Sequence, residues 1–164
     1  MKRPTLWPIL ALAAMLTFSC STDAIEEETI DAIVASHVPN TKEIEIEIME
    51  IINNHRIEAG LNPLNNLGQV KAEAYNHTEY MIERNGISHD NFFIRKANLE
   101  NTVGAVRVGE NVAYGYRYAQ SVVNAWLNSP GHRDVIEGDY TDFEISAEQD
   151  VEGRWYYTNI FVKK

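Results

Sequence analysis

Between Arg107 and Ile136 the chain reads RVGENVAYGYRYAQSVVNAWLNSPGHRDVI, and two of its side chains, Glu110 and His132, are of types that can hold or exchange a proton. Each directly follows a glycine, Gly109 and Gly131, a residue type that lets the backbone take positive φ or approach another element closely. That placement aims a side chain. A third candidate, His89, stands upstream in Ser88-His89-Asp90. A structural role competes with a chemical one. Glu110 and Asn111 can serve nearby backbone amides, and His132 can stabilise the turn at Pro130-Gly131, because buried polar groups must be paired. A hydrolase would need a nucleophile or activated water, an oriented base and a group to stabilise developing negative charge. Ser129 precedes His132 across a Pro-Gly corner, which need not bring its hydroxyl within reach of the ring. The chain contains no G-x-S-x-G elbow.

The elements that must carry these residues can be read in order. A first helix is expected with Thr41 as N-cap and Glu43 in its first turn, running to Ala59, where Gly60 stops it. Its opening, EIEIEI, alternates like a strand, yet Ile44, Ile48, Ile51, Ile52 and His55 share a helical face and the length favours helix. After Asn62-Pro63 a second helix is expected from Leu67 to Arg84, with Leu67, Val70, Ala74, His77 and Met81 on one stripe. His77 there reads as a satisfied core histidine, and His55 as a partly buried hydrogen-bonding helper. Asn85-Gly86 ends this helix. The stretch from His89 to Gly109 reads as loop, anchored by Phe92 and Phe93, with a strand starting within Ala105 to Val108. A further helix, from Tyr118 or Ser121 to Leu127, buries Val122, Val123 and Trp126, and Pro130-Gly131 turns the chain before a short helix through Val135 and Ile136. Phe143, Ile145 and Ala147 alternate with Glu144 and Ser146, then a turn at Val151-Glu152-Gly153 leads into WYYTNIFVK, an antiparallel hairpin.

GEN at 109–111, W-x-x-S-P-G-H-R at 126–133, Ser88-His89, and Asn54-His55-Arg56 with Gly60-Leu61 make the chain resemble the CAP superfamily over 44–162. That superfamily groups cysteine-rich secretory, antigen 5 and pathogenesis-related proteins, and the likeness is to its cysteine-poor, bacterial SCP-like branch. The resemblance implies an α+β fold, an α-β-α sandwich with a small, mostly antiparallel sheet between helical layers and a long cleft at one side. It implies that His89, Glu110 and His132 line the cleft, with Asn111 and Ser129 beside them. The second acid of the eukaryotic cleft falls at Ser129 and is absent here. Two neutral imidazoles and a carboxylate then make either an open zinc site at His89, His132 and Glu110, completed by water, or an acid–base or anchoring set without metal. No cofactor is required on this reading, and any zinc would be weakly bound. Asn53 and Arg56 match an Asn-x-x-Arg element of the family's first helix. Relatives often carry glycines where Phe143 to Ser146 stand, which implies a bulkier cleft floor.

The chain has 164 residues, 45% of them apolar, enough for one domain with its own core. The leader MKRPTLWPILALAAMLTFSC has a basic start and an apolar run too short to span a membrane comfortably, and it reads as a cleaved secretory signal over 1–19. The only cysteine, Cys20, sits at the cleavage point behind Leu16-Thr17-Phe18-Ser19, which resembles a bacterial lipobox, so Cys20 is expected to be acylated. Residues 20–40 read as an acidic tether and 41–164 as the domain. The net charge of −10 includes Lys2 and Arg3, so the body carries −12, which argues against a nucleic-acid partner. The expectation is a monomer in the bacterial cell envelope, lipid-anchored at the outer membrane or cell surface, touching the membrane only through its anchor. Two functions from different classes follow: a non-enzymatic binding module presenting its cleft to a lipid, a small ligand or an envelope or host partner, or a metal-dependent hydrolase using the same cleft.

Overall fold

The computed structural model describes residues 40–164, so the leader, Cys20 and nearly all of the tether lie outside the described residues. The first element of the described residues, α1 (Glu43–Glu58), is a helix despite its alternating start, with Ile48 and Ile52 fully buried. Its cap differs from expectation. Lys42, not Thr41, is the N-cap, and its backbone N–H donates to Glu45 Oε2 at 2.7 Å. A carboxylate three residues into a helix reaches back to a free N–H, a satisfaction that Thr41, one residue too early, cannot provide. At the far end Asn53 exchanges two hydrogen bonds with the backbone of Leu64. Buried Arg56 donates to the carbonyls of Asn62, Ile136 and Gly138.

After the two-residue β1 (Asn65–Asn66) comes α2 (Gly68–Glu83), whose Val70, Ala74, His77 and Met81 are buried as the stripe predicts. The expected loop after His89 is instead largely a helix, α3 (Phe92–Val103), closed by Gly104 in the left-handed conformation at φ 69°. Its inward positions are Arg95 and Leu99, while Phe93 is 81% exposed, so Phe93 is no core anchor. A helix that buries a charge has no simple apolar stripe to read. The chain continues as β2 (Arg107–Tyr114), α4 (Ala119–Asn128), α5 (Pro130–Ile136), β3 (Asp142–Gln149) and β4 (Trp155–Lys163).

The sheet order is β1-β3-β4-β2; β1 and β3 run parallel and the other pairs antiparallel, with Phe143 opposite Phe161 and Asn111 opposite Asn159. Among the described residues five helices cover its two faces, giving the α-β-α sandwich. On one face Phe143, Ile145, Tyr157 and Phe161 pack with α1 and α4, and Trp126 lies fully inside, its Nε1 donating to Val112 O at 3.0 Å. On the other, Ile160 and Val162 pack with Val70, Ala74 and Leu99 of α2 and α3. Of the residues at the expected cleft floor, Phe143 and Ile145 go into the α1/α4 core while Glu144 and Ser146 alternate to the α2 side. A buried clamp joins the layers: Glu45 accepts from Ala147 N–H at 2.7 Å and pairs with Lys71 Nζ at 2.7 Å, and Lys71 donates to Ile145 O at 2.6 Å. Among the described residues no helix is long and apolar enough to cross a membrane.

Candidate functional site

Edge strand β2 sends alternate side chains to opposite faces, and the two residues of the GEN motif that carry side chains therefore part company. Glu110 turns toward α2 and α3, its side chain only 1% exposed. Arg95 of α3 meets it with two bonds, Nε to Oε2 and Nη2 to Oε1, each 2.8 Å, and spends Nη1 on Asp90 O at 2.7 Å. The same Oε1 lies 2.8 Å from Nδ1 of His89, whose side chain is 52% exposed. Behind them His77 Nε2 stands 2.8 Å from Ser88 O and 3.9 Å from Glu110 Oε1. Since a carbonyl only accepts, His77 carries its hydrogen on Nε2. Its ring stacks on Tyr80, whose hydroxyl donates to Asp90 at 3.0 Å. The loop that delivers His89 is thus held from beneath at Ser88 and Asp90.

Asn111 turns the other way, is fully buried, and donates to His132 O at 3.0 Å, tying β2 to α5. Its Oδ1 has no partner among the described residues. His132, partly buried on α5, has its pKa pushed down by burial first and then by the nearby His89, so the two imidazoles are within each other's field. His77 is likewise pushed down, burial outweighing the opposing pull of Glu110 and the Ser88 bond. Both rings are therefore biased toward the neutral form. Ser129 closes α4 in an extended conformation and is the N-cap of α5. No bond between its hydroxyl and the His132 ring occurs among the described residues.

The two glycines differ. A Cβ on Gly109 would collide with the Tyr140 hydroxyl and stand 3.0 Å from Val135, so this glycine permits a close approach. Gly131 has neither positive φ nor a neighbour that a Cβ would meet, and the corner is made by extended Ser129 followed by Pro130 at the first helical position.

A cavity of about 290 Å³ opens beside the cluster, lined by His89, Asn91, Phe92, Phe93 and Glu110. Phe92 and Phe93 meet edge to face at 5.7 Å and form its apolar wall. Of the residues singled out from sequence, His89 and Glu110 line this cavity. His132 lies beside His89 but outside the lining, Asn111 acts from the opposite face, and Ser129 sits at the helix corner. Sequence reasoning missed Arg95 and gave Phe93 the wrong task.

As placed, His89, Glu110 and His132 do not form a three-ligand zinc site. The Glu110 carboxylate is already committed to the Arg95 guanidinium and to His89, and among the described residues no group of three or more His, Cys, Asp or Glu stands where it could hold a metal. A general base would also have to be free to take a proton, and Glu110 already accepts from two cationic N–H groups and an imidazole. What the arrangement offers is a rigid polar floor beneath an aromatic wall.

The family model of the cysteine-rich secretory protein family, CAP, matches residues 49–159. The chain is 36% identical over 125 residues to the uncharacterized membrane protein YlbC of Bacillus subtilis, covering 73% of this chain and 34% of that protein. It is 27% identical to the uncharacterized protein YkwD of the same species, covering 73% of this chain and 47% of that one. It therefore spans a third to a half of the length of these curated relatives. Among solved structures, an outer surface protein of Borrelia burgdorferi superposes with a TM-score of 0.69 at 23% identity, over 78% of this chain and 98% of that chain. An extracellular protein of Bacillus anthracis containing an SCP domain superposes with a TM-score of 0.65 at 26% identity, over 74% of this chain and 40% of that chain.

Proposed function

Since the chain belongs to the cysteine-rich secretory protein (CAP) family, we propose that it serves as a lipid-anchored, non-enzymatic binding module of the bacterial cell envelope, presenting the His89/Glu110 pocket to a lipid or small apolar ligand. The observation that carries this reading is the commitment of Glu110: its carboxylate is buried, doubly bonded to Arg95 and bonded to His89, which suits a fixed floor better than a proton acceptor. The exposed ring of Phe93 at the pocket agrees, because a large apolar side chain left in water beside a cavity gains from a ligand that covers it.

Location rests on the leader and the relatives. Cys20, the only cysteine, ends an apolar leader, and the presence of a membrane protein and an extracellular protein among the relatives supports an envelope site for this chain. Two experiments test the proposal. Cys20→Ser should move the protein from the membrane fraction to the soluble one, and equal partitioning of both forms would refute the anchor. The chain from residue 21 onward should retain envelope lipids or small apolar compounds that a His89→Ala, Phe93→Ala double variant of unchanged melting temperature does not. Identical retention by the two would move the ligand site elsewhere.

A further inference from the structure

The hydrogen-bond chemistry of the pocket goes further than its shape, resting on the reading that the pocket holds a small ligand. Glu110, facing the Arg95 guanidinium, is a carboxylate with acceptors only. His89 Nδ1, 2.8 Å from Oε1, must therefore carry the hydrogen and donate it. In the neutral ring this leaves Nε2 bare. Nε2 lies on the side of the ring away from Glu110, and the ring both lines the cavity and is half-exposed, so the polar atom that His89 offers to an incoming ligand is an acceptor.

No lysine or arginine is among the cavity's lining residues, and Arg95 has spent Nε and Nη2 on Glu110 and Nη1 on Asp90 O. A carboxylate or phosphate head would meet the bare His89 nitrogen and the Glu110 carboxylate, losing its hydration with no charged donor in the lining to replace it. An ammonium head would have to compete with a guanidinium already seated on Glu110 and would face its charge. An ether has nothing to donate. The apolar wall of Phe92 and Phe93 and a cavity of about 290 Å³, at the small end of ligand sites, call for a short chain or single ring as the body.

We propose that the pocket selects a small neutral ligand that carries a hydroxyl on an apolar body, with His89 Nε2 accepting the hydroxyl hydrogen and Phe92 and Phe93 covering the body.

The test uses the chain from residue 21 onward and four probes sharing one tail: 1-octanol, octanoate, octylamine and methyl octyl ether, titrated calorimetrically at pH 7.5. Octanol is expected to bind at least about tenfold more tightly than each of the others, the worth of roughly one good hydrogen bond. His89→Phe should bring octanol down to the level of the ether, and Phe93→Ala should weaken all probes alike. Nitrogen chemical shifts of His89 give an independent reading, since the inference requires the Nδ1–H tautomer at this pH. Equal binding of all four probes that Phe93→Ala weakens would keep the ligand site and overturn the selectivity. Tightest binding of octanoate, an Nε2–H tautomer, or octanol preference that survives His89→Phe would each overturn it as well. No binding of any probe would overturn the apolar-ligand reading and this inference together.

Discussion

Replacing Arg95 by methionine keeps most of the side chain's volume and removes the charge that neutralises Glu110. Both partners are inside, with side chains 7% and 1% exposed, and the pair is two-pronged with a third bond to the Asp90 carbonyl. Solvent screening is therefore slight, and removing one partner of such a pair strands a buried charge at a cost of about 3–5 kcal/mol. For a domain intermediate in size between the surveyed classes, about 3–5 °C of melting temperature per kcal/mol, this amounts to a fall of roughly 10–20 °C. Adding Glu110→Gln removes the stranded charge, so the double variant should recover more than half of the loss. Thermal and urea unfolding of the four proteins measures the cycle. The reasoning fails if Arg95→Met costs less than about 1 kcal/mol, or if the double variant is no more stable than Arg95→Met alone, since either result would mean that Glu110 is not dependent on its guanidinium.

Trp126→Ala should cost about 3–5 kcal/mol, because a 2% exposed indole and its bond to Val112 O are lost, and a melting temperature within about two degrees of wild type would contradict the packing. Gly109→Ala should destabilise through collision with Tyr140, whereas Gly131→Ala, in open space on a helix, should be neutral or stabilise by up to about 1 kcal/mol; urea midpoints showing the opposite order would refute the two roles. Stability should also depend on pH through His77, whose folded pKa is held below its unfolded value of about 6.5, chiefly by burial. A depressed pKa means that the unfolded chain binds the proton first, so this contribution is intact above about pH 6.5 and is lost as pH falls through the depressed folded value. His132 acts in the same sense, while Glu144, raised by burial, acts oppositely, being stabilising below its unfolded value and less so as pH rises through its folded one. His77→Gln retains a donor for Ser88 O and should flatten the fall in urea midpoint between pH 7 and 5; an unchanged slope would remove His77 from the account.

Much of the frame is legible in the sequence, because apolar side chains must leave water and their spacing reports how. The stripe from Val70 to Met81, the Val122, Val123 and Trp126 face and the alternation into the terminal hairpin all appear where periodicity places them. Asn53 and Arg56 also stand at their expected positions, now seen bonding to the loops that end α1. Periodicity fails where a buried position is polar. Helix α3 turns Arg95 inward and Phe93 outward, and Glu45 hides within an alternating run that looks like one solvated face. Neither residue announces its partner: Arg95 meets Glu110 across 15 positions and Glu45 meets Ala147 across 102. The motif residues likewise carry no record of the faces they take. Glu110 and Asn111 are neighbours in the chain, but the pleat of β2 sends one to Arg95 and His89 and the other to His132. A sequence lists which groups can ionise or donate; which of them are desolvated together, and so must satisfy one another, depends on elements that only the folded sheet brings into contact.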